Sequence, residues 1–124
     1  MFHFFKKYKI FFYLINLLLI FIYLFPGSIF GCILYNDCRI QPQLTSDFLI
    51  SSNHTYAFLI LSMIGFFTYK ESKNLKVLKI YLILLSVILE GLHLIIPNRS
   101  FELSDLFGNV VGVFVIIIIN FFWN

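Results

Sequence analysis

Four runs of apolar residues, at 10–25, 54–69, 77–96 and 106–123, leave only short polar connections between them. A helix needs roughly 20 residues to cross about 30 Å of hydrocarbon. Inside lipid every backbone N–H and C=O must find an internal partner, so segments this apolar cross only as helices. The expected fold is therefore all-α, an integral membrane bundle of four transmembrane helices, with residues 1–124 forming one domain. Composition agrees, because 60% of the 124 residues are hydrophobic and 12% charged, too little polar surface to coat a soluble globule. The first run either stops at Pro26 and Gly27 or continues through SIFGCILY with a kink.

The charges assign an orientation. All seven lysines fall in KKYK at 6–9 and KESKNLKVLK at 70–79. By the positive-inside rule both segments are cytoplasmic. An even number of crossings then puts both termini in the cytoplasm and the loops 36–53 and 97–105 outside. Asp37, Asp47, Glu90, Glu102 and Asp105 lie in or near those outer loops, as do Arg39 and Arg99. The net charge of +3 thus reflects lysines beside an anionic leaflet and gives no reason to expect nucleic acid as a partner.

A basic tail before an apolar run is also the pattern of a signal peptide. IFGC at 29–32 resembles a weak lipobox around Cys32, but the length of the run and the bulk of Phe30 favour a retained first helix. Cys32 and Cys38 fall near the outer face, where a disulfide is permitted; unpaired buried thiols fit two cysteines equally well. The sequons NHT at 53 and NRS at 98 are short enough to be incidental. No internal repeat, Gly-rich phosphate loop or serine elbow is present.

One stretch departs from the apolar pattern, LEGLHLIIPNRSFELSDLFGN at 89–109. Glu90 stands about six residues before the outer end of the third run, roughly 9 Å below it. Facing lipid, an ionised carboxylate would cost about 2–3 kcal/mol at a central position and somewhat less near a helix end, so it should face protein. His93 is three positions on and shares its helix face. Ser104 suits an N-cap for the fourth helix, with Asp105 in the first turn. Asp105, Asn109 and Gly112 form one stripe, and Gly108 and Gly112 in GNVVG allow another helix close approach. Pro97 ends the third helix, Arg99 sits at its lip, and His54 opens the second helix at the same level. His54, Glu90, His93, Arg99, Asp105 and Asn109 are expected to converge, with Glu90 and Arg99 paired or sharing one ligand. Each has a plain reading: Arg99 as an anchor on lipid phosphate, Asp105 as a cap, either histidine as a hydrogen-bonded side chain. Glu90 fits a plain reading worst, because intramembrane carboxylates are costly and usually functional.

The segment ILEGLHLIIPNRSFELSDLFGNVVGV, preceded by a lysine-rich connection and a helix opening NHTYAFLILSMIGFF, resembles the VanZ-like family of small bacterial membrane proteins. There a helix ends in Glu-x-x-Gln, followed by a Pro-x-Arg-x-x-x-x-x-Asp loop and by Asn and Gly on the last helix. That pattern falls on Glu90, Arg99, Asp105, Asn109 and Gly112, and the histidine opening the family's preceding helix falls on His54. The resemblance spans residues 50–118. His93 replaces the family's glutamine, adding a group that titrates near neutrality, and SSN at 51–53 replaces an Asp-Lys pair.

The resemblance implies a multi-pass protein of the bacterial cell membrane and cell envelope, in a family whose founding member is associated with resistance to the antibiotic teicoplanin. An outer-face pocket that binds or modifies an anionic amphiphile, a lipid-linked envelope precursor or head group, is the first expectation. Glu90, His93 and Asp105 would carry any catalysis, while His54, Arg99 and Asn109 would bind the ligand. Arg99 would grip a phosphate or carboxylate bidentately. The alternative is a non-enzymatic assembly module whose polar cluster locks helices or a membrane protein partner. An ion carrier fits less well, since only Ser62, Ser86 and terminal groups continue a polar path. Histidines beside a carboxylate suit zinc, but Glu-x-x-His spacing does not by itself make a metal site; no metal and no cofactor are expected.

Overall fold

The first apolar run is interrupted by the Pro26–Gly27 pair, and in the computed structural model this break decides the shape of the amino-terminal half. The structure describes residues 2–43, 46–47, 50–69, 73–97 and 100–123, with side chains from 9 to 122 within those ranges. Every regular element among them is helical: α1 (Phe2–Leu24), α2 (Ile29–Tyr35), α3 (Ser52–Tyr69), α4 (Leu75–Leu92) and α5 (Leu103–Trp123). Gly27 adopts φ 95°, a region that side chains disfavour, and a Cβ there would lie 2.8 Å from the Cys38 carbonyl oxygen. The Ser28 hydroxyl then caps α2 by accepting from the Gly31 N–H at 3.1 Å. The run does continue through SIFGCILY, but as a separate helix bent 80° away from α1.

Asn36 ends α2 in the left-handed conformation. The chain folds back on itself there, with the Ser28 N–H on the Cys38 carbonyl at 2.7 Å and a disulfide joining Cys32 to Cys38. The backbone N–H and guanidinium of Arg39 both donate to Asp37, which holds this carboxyl below its usual range.

Helices α3 and α5 pack most closely. A Cβ on Gly112 would lie 2.6 Å from the Thr55 carbonyl oxygen and 2.8 Å from the Leu59 nitrogen, and one on Gly108 2.7 Å from the Ser51 carbonyl oxygen. The stripe of small residues therefore sets the backbone of α5 directly on that of α3. Around this pair Phe12 of α1, Phe58 and Leu61 of α3, Leu82 and Leu85 of α4 and Val113 of α5 are buried together. Large apolar side chains also cover the outside, among them Leu14, Leu17 and Phe21 of α1, Leu84 and Ile88 of α4 and Ile118 of α5.

Among the described residues one helix, over Leu103–Phe122, is by itself long and apolar enough to cross a membrane; α1 with α2 makes a second if the bent pair is one span. Lys76, Lys79 and Glu90 in α4, and the polar opening Ser52 to Thr55 in α3, make those two helices less apolar.

Two boundaries differ from the sequence reading. The α-helix of α4 stops at Leu92 instead of 96. The N–H groups of His93, Leu94 and Ile95 bond carbonyls three residues back, at 3.1, 3.2 and 3.1 Å, so the run tightens into a 3₁₀ turn before Pro97. Glu90 consequently lies in the last α-helical turn, not six residues inside it. Helix α5 begins at Leu103, and the Glu102 carbonyl takes its first bond, from the Leu106 N–H at 3.1 Å. Ser104 thus lies within the first turn and does not cap it; its carbonyl accepts from the Ser51 N–H at 3.1 Å, tying α5 to the start of α3.

Candidate functional site

The ends of three helices meet where α3 starts, α4 finishes and α5 starts, and they bring His54, Glu90, His93, Asp105 and Asn109 together. Arg99, and with it the pairing expected with Glu90, lies outside the described residues. Glu90, His93 and Asn109 are almost wholly buried. His54 and Asp105 keep 14% and 19% of their side-chain surface exposed, so they form the accessible edge.

Glu90 has two different oxygens. Oε1 accepts from the Glu102 N–H at 3.1 Å, which fixes the loop before α5. Oε2 lies 3.3 Å from His93 Nδ1 and 3.8 Å from His54 Nδ1, yet has no hydrogen-bond partner among the described residues. A buried, unsatisfied carboxylate oxygen is costly in a polar network of this kind.

The histidine tautomers follow from their neighbours. His93 Nε2 faces the Tyr23 carbonyl at 2.9 Å; a carbonyl only accepts, so Nε2 carries the hydrogen. In the neutral ring Nδ1 is then an acceptor that faces Glu90 Oε2, itself an acceptor. Asn109 Nδ2 donates to the Ser86 carbonyl at 3.0 Å, which orients the amide. Its Oδ1 accepts from Tyr23 Oη at 2.6 Å and from His54 Nδ1 at 3.0 Å. His54 Nε2 is left as an acceptor 3.7 Å from Asp105 Oδ2. In both histidine–carboxylate pairs a lone pair thus faces a carboxylate oxygen, an arrangement suited to holding a proton or a cation between them.

Tyr23 was not singled out in the sequence. Besides donating to Asn109 it packs its ring edge-on to His54, with centroids 5.0 Å apart, and stacks on His93 at 5.8 Å. A hydroxyl in the last turn of α1, at the end of the apolar run 17–24, was the available signal. Asn109, expected as a ligand-binding group, has its oxygen occupied twice and its amide bound to Ser86, so it ties α1, α3 and α4 to α5. Gly108 and Gly112 hold α3 at the distance this needs.

Beside the cluster lies a cavity of about 410 Å³ with an almost wholly apolar lining. Tyr23, Phe30, Leu34, Pro42, His54 and Ile60 line it. Two of these, Tyr23 and His54, also belong to the polar cluster, so one wall joins the apolar space to the carboxylates. No protein-family profile, curated protein or solved structure matches the chain.

Proposed function

We propose that the protein is a VanZ-like cell-envelope membrane protein whose outer-face site binds or, through Glu90, His93 and Asp105, modifies an anionic amphiphile such as a lipid-linked precursor or head group. The observation that carries this reading is the apolar cavity walled by His54 and Tyr23. It offers space for a hydrocarbon chain next to groups that can take a polar head. Among the described residues Glu90 Oε2 has no hydrogen-bond partner, and this further supports a site with an acceptor left for a ligand. The lock applies instead to Asn109, Tyr23 and Ser86, which position the site. Arg99 takes the phosphate or carboxylate in this reading.

The bundle spans the membrane four times, as α1 with α2, α3, α4 and α5, with both termini in the cytoplasm. Large apolar side chains on the outer faces of α1, α4 and α5 support this. Lys9 lies over the Tyr69 ring at 5.7 Å, so the two lysine clusters share one end, as the positive-inside rule requires. The Cys32–Cys38 disulfide sits near the other end, where an oxidising exterior would keep it.

Binding of dodecyl phosphate, with dodecyl maltoside as the uncharged reference, tests the proposal on the full chain in nanodiscs. Ala57 also lines the cavity, so Ala57→Trp should fill it and Arg99→Lys should remove the planar grip, each lowering phosphate-dependent binding at least about tenfold without changing the unfolding midpoint. Wild-type-like binding by both variants would overturn the site reading.

A further inference from the structure

We infer that His54, Glu90 and Asp105 form a divalent-cation site. One donor atom from each lies within 4.8 Å of the other two, and His54 Nε2 is 3.7 Å from Asp105 Oδ2. Nitrogen and oxygen donors bound to zinc at about 2.0–2.2 Å stand roughly 3.4 Å apart in a tetrahedron. The trio reaches that geometry by closing little more than about 1 Å, within the reach of side-chain torsions.

A second observation points to the same ligand. Glu90 Oε2 is fully buried, has no hydrogen-bond partner among the described residues and faces Nδ1 of both histidines. A cation would give this oxygen a partner. His54 is already prepared as a ligand, because its Nδ1–H is held by Asn109 and its Nε2 lone pair faces Asp105. Metal-binding histidines are characteristically oriented in this way, by a hydrogen bond from the other ring nitrogen. Among the described residues the partners within ion-pair distance of these two carboxylates are histidines only, so a dication would also balance their charge.

One imidazole and two carboxylates suit zinc or manganese and leave coordination positions for water or an anion. The partial exposure of His54 and Asp105 puts those positions on the open edge of the cluster. The inference stands on the donor geometry and does not depend on the amphiphile reading.

The test uses the full, untagged chain in detergent, stripped with a chelator and then titrated with Zn²⁺ or Co²⁺ in the absence of any phosphate amphiphile. The expected result is one equivalent retained per chain after desalting, a visible Co²⁺ absorption band, and a rise in the unfolding midpoint on adding Zn²⁺. His54→Gln and Asp105→Asn should each weaken binding at least about tenfold, whereas Asp47→Asn, an exposed acidic control, should not. Unfolding midpoints without metal identify any variant that is merely misfolded, and Glu90→Gln supplies a third, shape-conserving probe. No retained metal, or retention unaffected by these three substitutions, would overturn the inference while leaving dodecyl phosphate binding to be judged separately.

Discussion

Tyr23 shows how much of the site depends on single atoms. Its hydroxyl is one of two donors to Asn109 Oδ1, so Tyr23→Phe should cost about 1 kcal/mol, read as a lower unfolding midpoint in detergent. Glu90 offers a sharper comparison. In metal-free protein Glu90→Gln keeps the acceptor for the Glu102 N–H and gains an amide hydrogen for His93 Nδ1, so its stability should equal or exceed that of the wild type. Glu90→Leu strands the Glu102 N–H and should cost about 1–3 kcal/mol; the opposite order in an unfolding titration would refute acceptor facing acceptor. At this scale the sequence was informative where a residue was chemically out of place, as Glu90 and His93 are in an apolar run. It was silent on Tyr23, because a tyrosine near a helix end is ordinary and only packing against two histidines distinguishes it.

Among the helices, the two-glycine stripe on α5 makes the strongest demand. Gly112→Val would push a branched side chain into the Thr55 carbonyl and the Leu59 nitrogen, and should cost about 3 kcal/mol. Gly91→Ala meets nothing within 4 Å and should stabilise α4 by about 0.5–1 kcal/mol. Thermal unfolding of the two variants side by side checks the contrast. The stripe was legible as GNVVG, but its partner was not: spacing shows that a helix can approach, and only the fold selects α3. The break at Pro26 and Gly27 was legible too, whereas the 80° bend depends on the returning loop and the Cys38 carbonyl. The end of α4 moved because apolar composition continues to Ile96 although the hydrogen bonding has already tightened. Pairing of Cys32 with Cys38, left open by the sequence, predicts that denatured, unreduced protein takes up no maleimide.

The whole molecule should place its two lysine clusters on one side of the membrane and the polar cluster on the other. Single cysteines at Lys73 and Ser100, in a chain with Cys32 and Cys38 replaced by serine, test this in intact cells. Labelling from outside at position 100 and not at 73 is expected, and the reverse pattern would invert the topology. Composition made the all-helical architecture legible, since apolar runs of this length leave the backbone few other ways to satisfy itself. The convergence of residues 54, 90 and 105 needed three helices placed correctly at once; it was legible because the charge-set topology put the start of the second helix, the end of the third and the start of the fourth at one membrane level. The rim of the cavity has a further consequence. Phe30, Leu34 and Ile60 are exposed as well as cavity-lining, so in the proposed membrane setting an amphiphile entering from the bilayer would meet oily residues first and the histidine last. Its supply would then be governed by two-dimensional diffusion and by the mole fraction of the amphiphile in the leaflet, not by its concentration in water. Solubilising surfactant would compete for the same space, making nanodiscs the medium in which true occupancy can be read.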